Sequence, residues 1–209
     1  MSGINVLIPL GGLHSRFANN GYLLPAPLVR IFGREIILWT LSSIRLTVDD
    51  DLMIVYNPQF LDKHLLEGIV KKLHPRAQFA YLQNTSKGPI DTLLTGLKLL
   101  PANKKVRPTI CMDGDGYFKD VDVAEVYRNF AKNGEGALFS YKDVDPKPLY
   151  SYVQVGEGNR EVLQIKEKEK ISDWANTGTY CFPSGTQLQS TIEAIIAKYK
   201  DKKDGKYNL

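Results

Sequence analysis

The sequence predicts an α/β protein of three layers, with helices on both faces of a mainly parallel sheet. Three observations carry that prediction. Short apolar runs of strand length alternate with segments of helical periodicity over the first two thirds of the chain. The opening run, Ile4 to Leu10, is apolar apart from Asn5, as a strand buried on both faces requires. Beyond about residue 135 strand-like segments follow one another with few helices between them, which adds mixed or antiparallel strands.

Each element has its own reason. After the first strand a glycine-bearing loop begins at Gly11 and Gly12, and helical patterning follows from Glu35 to Leu46. Leu52 to Tyr56 is a short apolar strand. Leu61, Leu65, Ile69 and Leu73 recur every four residues and predict an amphipathic helix ending near His74 and Pro75. Gln78 to Leu82 reads as a strand. Pro89 to Leu100 reads as a helix opening on proline, whose missing N–H costs nothing in a first turn. Thr109 to Met112 is the next strand, and Ala137 to Tyr141, Tyr150 to Val155, Val162 to Ile165 and Thr177 to Phe182 complete the sheet. Right-handed crossovers between parallel strands place ligands at the strands' carboxyl ends.

Composition narrows the class. The 209 residues are 43% apolar and 24% charged, values of an ordinary globular domain long enough for one substantial core. No apolar run approaches the roughly 18 residues of a membrane span, and MSGINVLIPL lacks the basic start of a secretory signal. Cys111 and Cys181 each lie in an apolar stretch and read as buried thiols, so a reducing, cytoplasmic location is expected. The formal charge of +4 is mild, and the lysines from Lys198 to Lys206 read as a solvated helix end. Zinc-ligand spacing and basic–aromatic interleaving are absent, so no nucleic-acid or membrane partner is expected.

Four segments carry chemistry. In residues 7–37, LIPLGGLHSRFANNGYLLPAPLVRIFGREII, a strand runs through a Gly-Gly turn into a polar loop and a Pro-x-Pro segment. Glycines let backbone N–H groups approach phosphates closely, and Arg16 offers a guanidinium fork to their oxygens. A plain turn explains Gly11-Gly12 equally, since the fingerprints of dinucleotide and P-loop sites are incomplete. In residues 83–97, Gly88-Pro89 opens a helix whose first N–H groups suit an anion or a base edge, or merely begin a helix. TICMDGDGYF ends a strand with Asp113 and Asp115, which share one face if the chain is extended. Two hard carboxylates suit Mg²⁺ on a nucleotide's phosphates, although DGDG is also a common turn. The alternating charges from Lys166 to Lys170 read as a solvated strand or loop.

IPLGGLHSRFANNGYLLPAPL resembles the signature loop of the sugar-phosphate nucleotidyltransferases, in particular the branch of capsule and surface-polysaccharide synthesis. That family's pattern runs roughly Gly-x-Gly-Ser-Arg-Phe, then Gly-Tyr, then Pro-Lys-Pro-Leu. Gly12, Ser15, Arg16, Phe17, Gly21, Tyr22, Pro25, Pro27 and Leu28 match it, whereas His14 and Ala26 depart. The resemblance implies a Rossmann-like (GT-A-like) α/β/α domain over residues 1–209. Residues 1–134 would form its nucleotide-binding half and 135–209 its acceptor-binding half.

It also implies roles. Leu10, Gly11, Gly12, His14, Ser15, Arg16, Gln83 and Gly88 would hold the nucleotide. Asp115, ahead of Asp113, would hold Mg²⁺. Glu167, Lys168, Asn176 and Gly178 would hold the acceptor, Glu167 through hydroxyls and Lys168 through phosphate. Tyr150 and Tyr152 either line the same pocket or pack in strands. Arg16, residue 26 and Asp115 would be catalytic. The family has a lysine at position 26, beside the reacting phosphates, and losing one such preorganised charge costs about 10²–10³ in rate. Ala26 is therefore an introduced inactivating change, a variant that relies on another cation such as Lys87, or the mark of a relative that binds without turnover. No second metal-binding Asp is recognised before Leu209, and KDGKYNL resembles the start of a later family segment, which implies a truncated C-terminus.

The reaction implied joins an NTP, with CTP marginally favoured, to a sugar 1-phosphate or similar phosphate ester and releases pyrophosphate. A nucleotide-sugar-dependent glycosyltransferase also suits Asp-x-Asp, and a binding or regulatory module suits the missing lysine. A homodimer or a fused partner domain is compatible with all three.

Overall fold

The structure, a computed structural model, describes residues 3–13, 15–159 and 161–199. Strand β1 (Asn5–Leu10) lies at the centre of an eight-stranded sheet, between β4 (Asp51–Tyr56) and β6 (Thr109–Met112), both parallel to it. Strand β5 (Gln78–Tyr81) extends the parallel part beyond β4. On the other side β10 (Trp174–Phe182) runs antiparallel to β6 and carries β7 (Ala137–Lys142) and β8 (Ser151–Val155), and β9 (Val162–Glu167) closes the sheet beside β8. The predicted α/β class and the change of pattern past residue 135 are both borne out.

Two apolar layers hold helices to the sheet. Alternation along β1 sends Val6, Ile8 and Leu10 to one face and Leu7 to the other. The first face packs on α2 (Ile36–Leu41), α3 (Lys63–Leu73) and α6 (Val123–Ala131), through Ile37, Leu66, Val70 and Tyr127. The second packs on α4 (Pro89–Leu99) and α7 (Gly185–Tyr199), through Ile90, Leu97, Leu188 and Ile192. Asn5, which interrupts the apolar run, is satisfied on its amide nitrogen: Nδ2 donates to Lys104 O at 2.9 Å and to Thr109 Oγ1 at 3.1 Å, while its buried Oδ1 has no partner among the described residues.

Several expectations need correction. The helix expected from Glu35 to Leu46 is α2 alone, ending where Ser42 caps onto Trp39 O. In α3 the buried stripe is Leu66, Ile69 and Val70. Of the i+4 series read from the sequence, Leu61 and Ile69 face the core, whereas Leu65 and Leu73 are 44% exposed, so the series lies along the edge of the buried stripe. Helices α6 and α7 were not predicted, nor were the short α1 (Ser15–Asn19) and α5 (Ala102–Lys105) or the hairpin of β2 (Arg30–Ile31) and β3 (Arg34–Glu35). Among the described residues no helix is long and apolar enough to cross a membrane.

Candidate active site

Two cavities open side by side at the carboxyl ends of β1 and β6. The smaller, about 310 Å³, is lined by Pro9 to Gly12, Ala26 and Pro27, by Ser86 to Thr92 in part, and by Asp113 to Asp115. Gly11 is needed there for close approach: a Cβ on it would stand 2.2 Å from Thr92 Oγ1 and 2.8 Å from Leu82. Gly12, one residue on, faces open space, so its backbone is reachable by a ligand. On the far wall, Ser86 Oγ donates to Gly88 O at 2.6 Å and accepts from the Gly88 N–H at 3.1 Å. Thr92, in the first turn of α4, donates to Ser86 Oγ at 2.8 Å. This small network fixes the loop that precedes α4 and holds the helix N-terminus toward the cavity.

The carboxylates arrive by a turn and not by a strand. β6 ends at Met112, and Asp113 to Gly116 leave the sheet as a bend, so the one-face geometry expected of an extended chain does not apply. Both side chains still reach the cavity. Asp113 opens to the cleft yet is ringed by protein atoms. That crowding, and then the negative charge of Asp115, push its carboxyl up to about 7. Asp113 and Asp115 are the charged residues among the described lining of this cavity. A carboxyl raised by crowding beside a second carboxylate marks a site short of positive charge, which a hard cation relieves. Among the described residues no three His, Cys, Asp or Glu groups gather into a protein cage. Two carboxylates completed by phosphate oxygens and water fit Mg²⁺ better than a zinc-type metal.

The larger cavity, about 610 Å³, shares Pro9, Pro89 and Asp113 with the first and reaches across β10 to β8 and β9. All four residues expected to hold an acceptor line it: Glu167, Lys168, Asn176 and Gly178, together with Tyr150. Lys168 takes a left-handed backbone conformation, φ 53°, uncommon for a side chain of its length. Its N–H donates to Tyr150 O at 2.9 Å, which holds the bend that ends β9. Glu167 accepts from Ser151 Oγ and lies 4.0 Å from Lys168 Nζ. Asn176 is nearly spent on its own strand: its Oδ1 accepts from the Gly178 N–H at 3.0 Å and its Nδ2 donates to Tyr180 O–H.

Other candidates fall elsewhere. Gln83 and Lys87 are exposed and outside both linings, and the Lys87 N–H donates to Asp91 Oδ2 at 3.1 Å. Tyr152 is fully buried and donates to Asp143, so it belongs to the core. His14 lies outside the described residues, as does the tail from residue 200, and Ser15 and Arg16 are placed in α1 by backbone alone. The sequence reading missed Thr92, Ser86 and Tyr180. The threonine three residues into a helix after Gly-Pro is the signal that was there to be used.

The sequence model of the nucleotidyl transferase family matches residues 6–207. The chain belongs to that family. No curated protein matches it by sequence. Among solved structures it is similar to a Vibrio cholerae nucleoside-diphosphate-sugar pyrophosphorylase, with a TM-score of 0.75 and 18% identity over 97% of this chain and 83% of that one. It is also similar to a Bacillus anthracis structure named as a glucose-1-phosphate thymidylyltransferase and solved with sucrose. There the TM-score is 0.72 and the identity 19%, over 99% of this chain and 79% of that one. At these identities the likeness shows the fold, an α/β sheet of nucleotidyltransferase type.

Proposed function

We propose that the chain joins a nucleoside triphosphate to a sugar 1-phosphate or similar phosphate ester, giving a nucleoside-diphosphate-linked product and pyrophosphate. One observation carries the reading: two cavities meet at a shared carboxylate, Asp113, and the second is walled by a lysine and a glutamate suited to phosphate and hydroxyls. The activities named for the two structural neighbours agree with it in kind. Residues 1–134 then bind the nucleotide and 135–209 the acceptor, with Asp113 at the seam. The capsule-branch resemblance puts CTP first, and the thymidylyltransferase neighbour makes dTTP the nucleotide to test beside it.

In this reading the acceptor's phosphate oxygen attacks the α-phosphorus in line, and positioning and charge neutralisation do the work. Gly11 and Gly12 present backbone to the triphosphate, and Arg16 holds the departing pyrophosphate. Lys168 and Glu167 orient the acceptor. Asp115 and Asp113 would hold Mg²⁺, which supplies charge neutralisation between the two sets of phosphates. Residue 26 lines the nucleotide cavity as a buried alanine, so the cation that would stand there is missing. A glycosyltransferase is separated by its donor and product: incubation with NTP, Mg²⁺ and sugar phosphates should release pyrophosphate, and silence there with release of nucleoside diphosphate from an added nucleotide sugar would overturn the reading. Tight NTP binding without turnover, even in Ala26→Lys, would instead support a binding module.

A further inference from the structure

The two edges of the sheet are not alike. At one end β5 is short, and cations cover its rings: Lys71 Nζ lies 5.3 Å from the Phe79 ring centre and Lys63 Nζ 4.7 Å from that of Tyr81. Such lysines blunt an edge against further pairing. At the other end β9 has no strand on its outer side among the described residues. Three apolar side chains lie bare on it within four positions: Val162, 45% exposed, Leu163, 56%, and Ile165, 42%. The backbone shows which of its groups point outward. The Lys168 N–H donates to Tyr150 O, and Glu161 O accepts from the Gly156 N–H, so Lys168 and Glu161 both face β8. In an unbroken strand, residues seven apart would face opposite ways. The register shift opposite Gln154 and Val155, with Leu163 as the extra residue, reconciles them. Counting in from each end, Val162 and Ile165 turn their N–H and C=O groups away from the sheet.

We infer that β9 pairs with β9 of a second copy of this chain, antiparallel about a two-fold axis, with Val162 opposite Ile165 of the partner. In that register outward backbone groups meet outward groups. Glu161 falls opposite Lys166 of the partner, and symmetry repeats each pair, so the strand is complementary to itself in charge as well as in apolar surface. Centring the axis on Gln164 would set Glu161 against Glu167, and centring it on Ile165 would set Glu161 against Glu169. The pairing continues the sheet through the dimer and seats the partner beside the turn that carries Glu167 and Lys168. This inference does not depend on the proposed reaction.

The experiment is sedimentation equilibrium of the full chain from 5 to about 200 μM, a range suited to an interface built on one strand pair. The wild type should show a concentration-dependent dimer of twice its 23.5 kDa. Glu161→Lys, which sets lysine against lysine at two places, should weaken association about ten-fold or more, and Glu161→Lys with Lys166→Glu should restore most of it. Circular dichroism and thermal melting of each variant check that the fold survives. A wild type that stays monomeric throughout overturns the inference. So does a dimer indifferent to Glu161→Lys, or one that the paired swap fails to recover.

Discussion

Asp113 and Gly178 are locked to each other. The Asp113 N–H donates to Gly178 O at 3.0 Å, and a Cβ on Gly178 would stand 2.0 Å from Asp113 Oδ2. Gly178 also holds a left-handed φ of +74° at the irregularity in β10, where Asn176 and Tyr180 bracket the register shift. The carboxylate at the end of β6 thus occupies the space where a side chain on β10 would be. The antiparallel part of the sheet sets the position of a group that both cavities share.

Gly178→Ala should therefore damage the site more than the fold. The left-handed alanine costs about 1–2 kcal/mol, and Asp113 must swing aside. We expect a thermal midpoint lower by a few degrees and a Mg²⁺-dependent turnover reduced about 10²-fold, measured on a form of the enzyme that turns over. Unchanged turnover would mean that the carboxylate's position does not matter to the reaction.

The pH dependence of stability follows from Asp113. Its carboxyl keeps a proton up to about pH 7 in the folded chain, whereas the ordinary value is 3.8. The native state binds more protons across that window, so stability falls as pH rises from 4 to 7. Asp113→Asn should melt above the wild type at pH 8 and with it at pH 4. Mg²⁺ competes with the same proton, so it should raise the wild-type melting temperature more at pH 8 than at pH 6. Calorimetry at the three pH values checks both statements.

Asp50 acts in the opposite sense. Burial alone would raise its carboxyl, but bonds from the Ile4 N–H at 2.8 Å and from Thr47, together with the charge of Arg128, outweigh burial and hold it below the usual value. A depressed carboxyl stabilises the fold above its unfolded pKa, near 4, and that stability is lost as pH falls through the folded value. Asp50→Ala leaves Arg128 and the start of β1 without their partner and should cost about 3 kcal/mol at pH 7. The difference from wild type should shrink below pH 4, as urea unfolding across pH would show.

The thiols should be silent. Cys111 and Cys181 are buried on opposite faces of the sheet, and burial pushes both thiols well up. A thiol-reactive dye should label neither in the native chain and both in denaturant. Rapid native labelling would mean that the core around β6 opens.

Much of this architecture could be read from local pattern. Thr109 to Met112 is a strand because β-branched Thr109 and three apolar residues lie between turn formers, and Pro89 begins a helix because a first turn accepts proline. The missed helices had signals of the same kind. Asp122 accepts from the N–H groups of Ala124 and Glu125 as an N-cap to α6, and Leu188 and Ile192 repeat at four in α7. The site is a different matter. Which of Gln83, Gly88 and Thr92 faces a cavity depends on how close α4 comes to Gly11, and that distance belongs to the packed sheet. The four acceptor candidates lie together because β8, β9 and β10 are adjacent, which no spacing in the sequence states.

Ala26 lines the smaller cavity, where the proposed reaction calls for a cation. Pyrophosphate release should be measured for the native chain and Ala26→Lys, with Mg²⁺, each NTP and a panel of sugar phosphates. Release should be at least about 10²-fold faster in the lysine form, with one NTP preferred. Equal silence in both, with the fold intact, would contradict the proposed reaction, whether or not NTP binds.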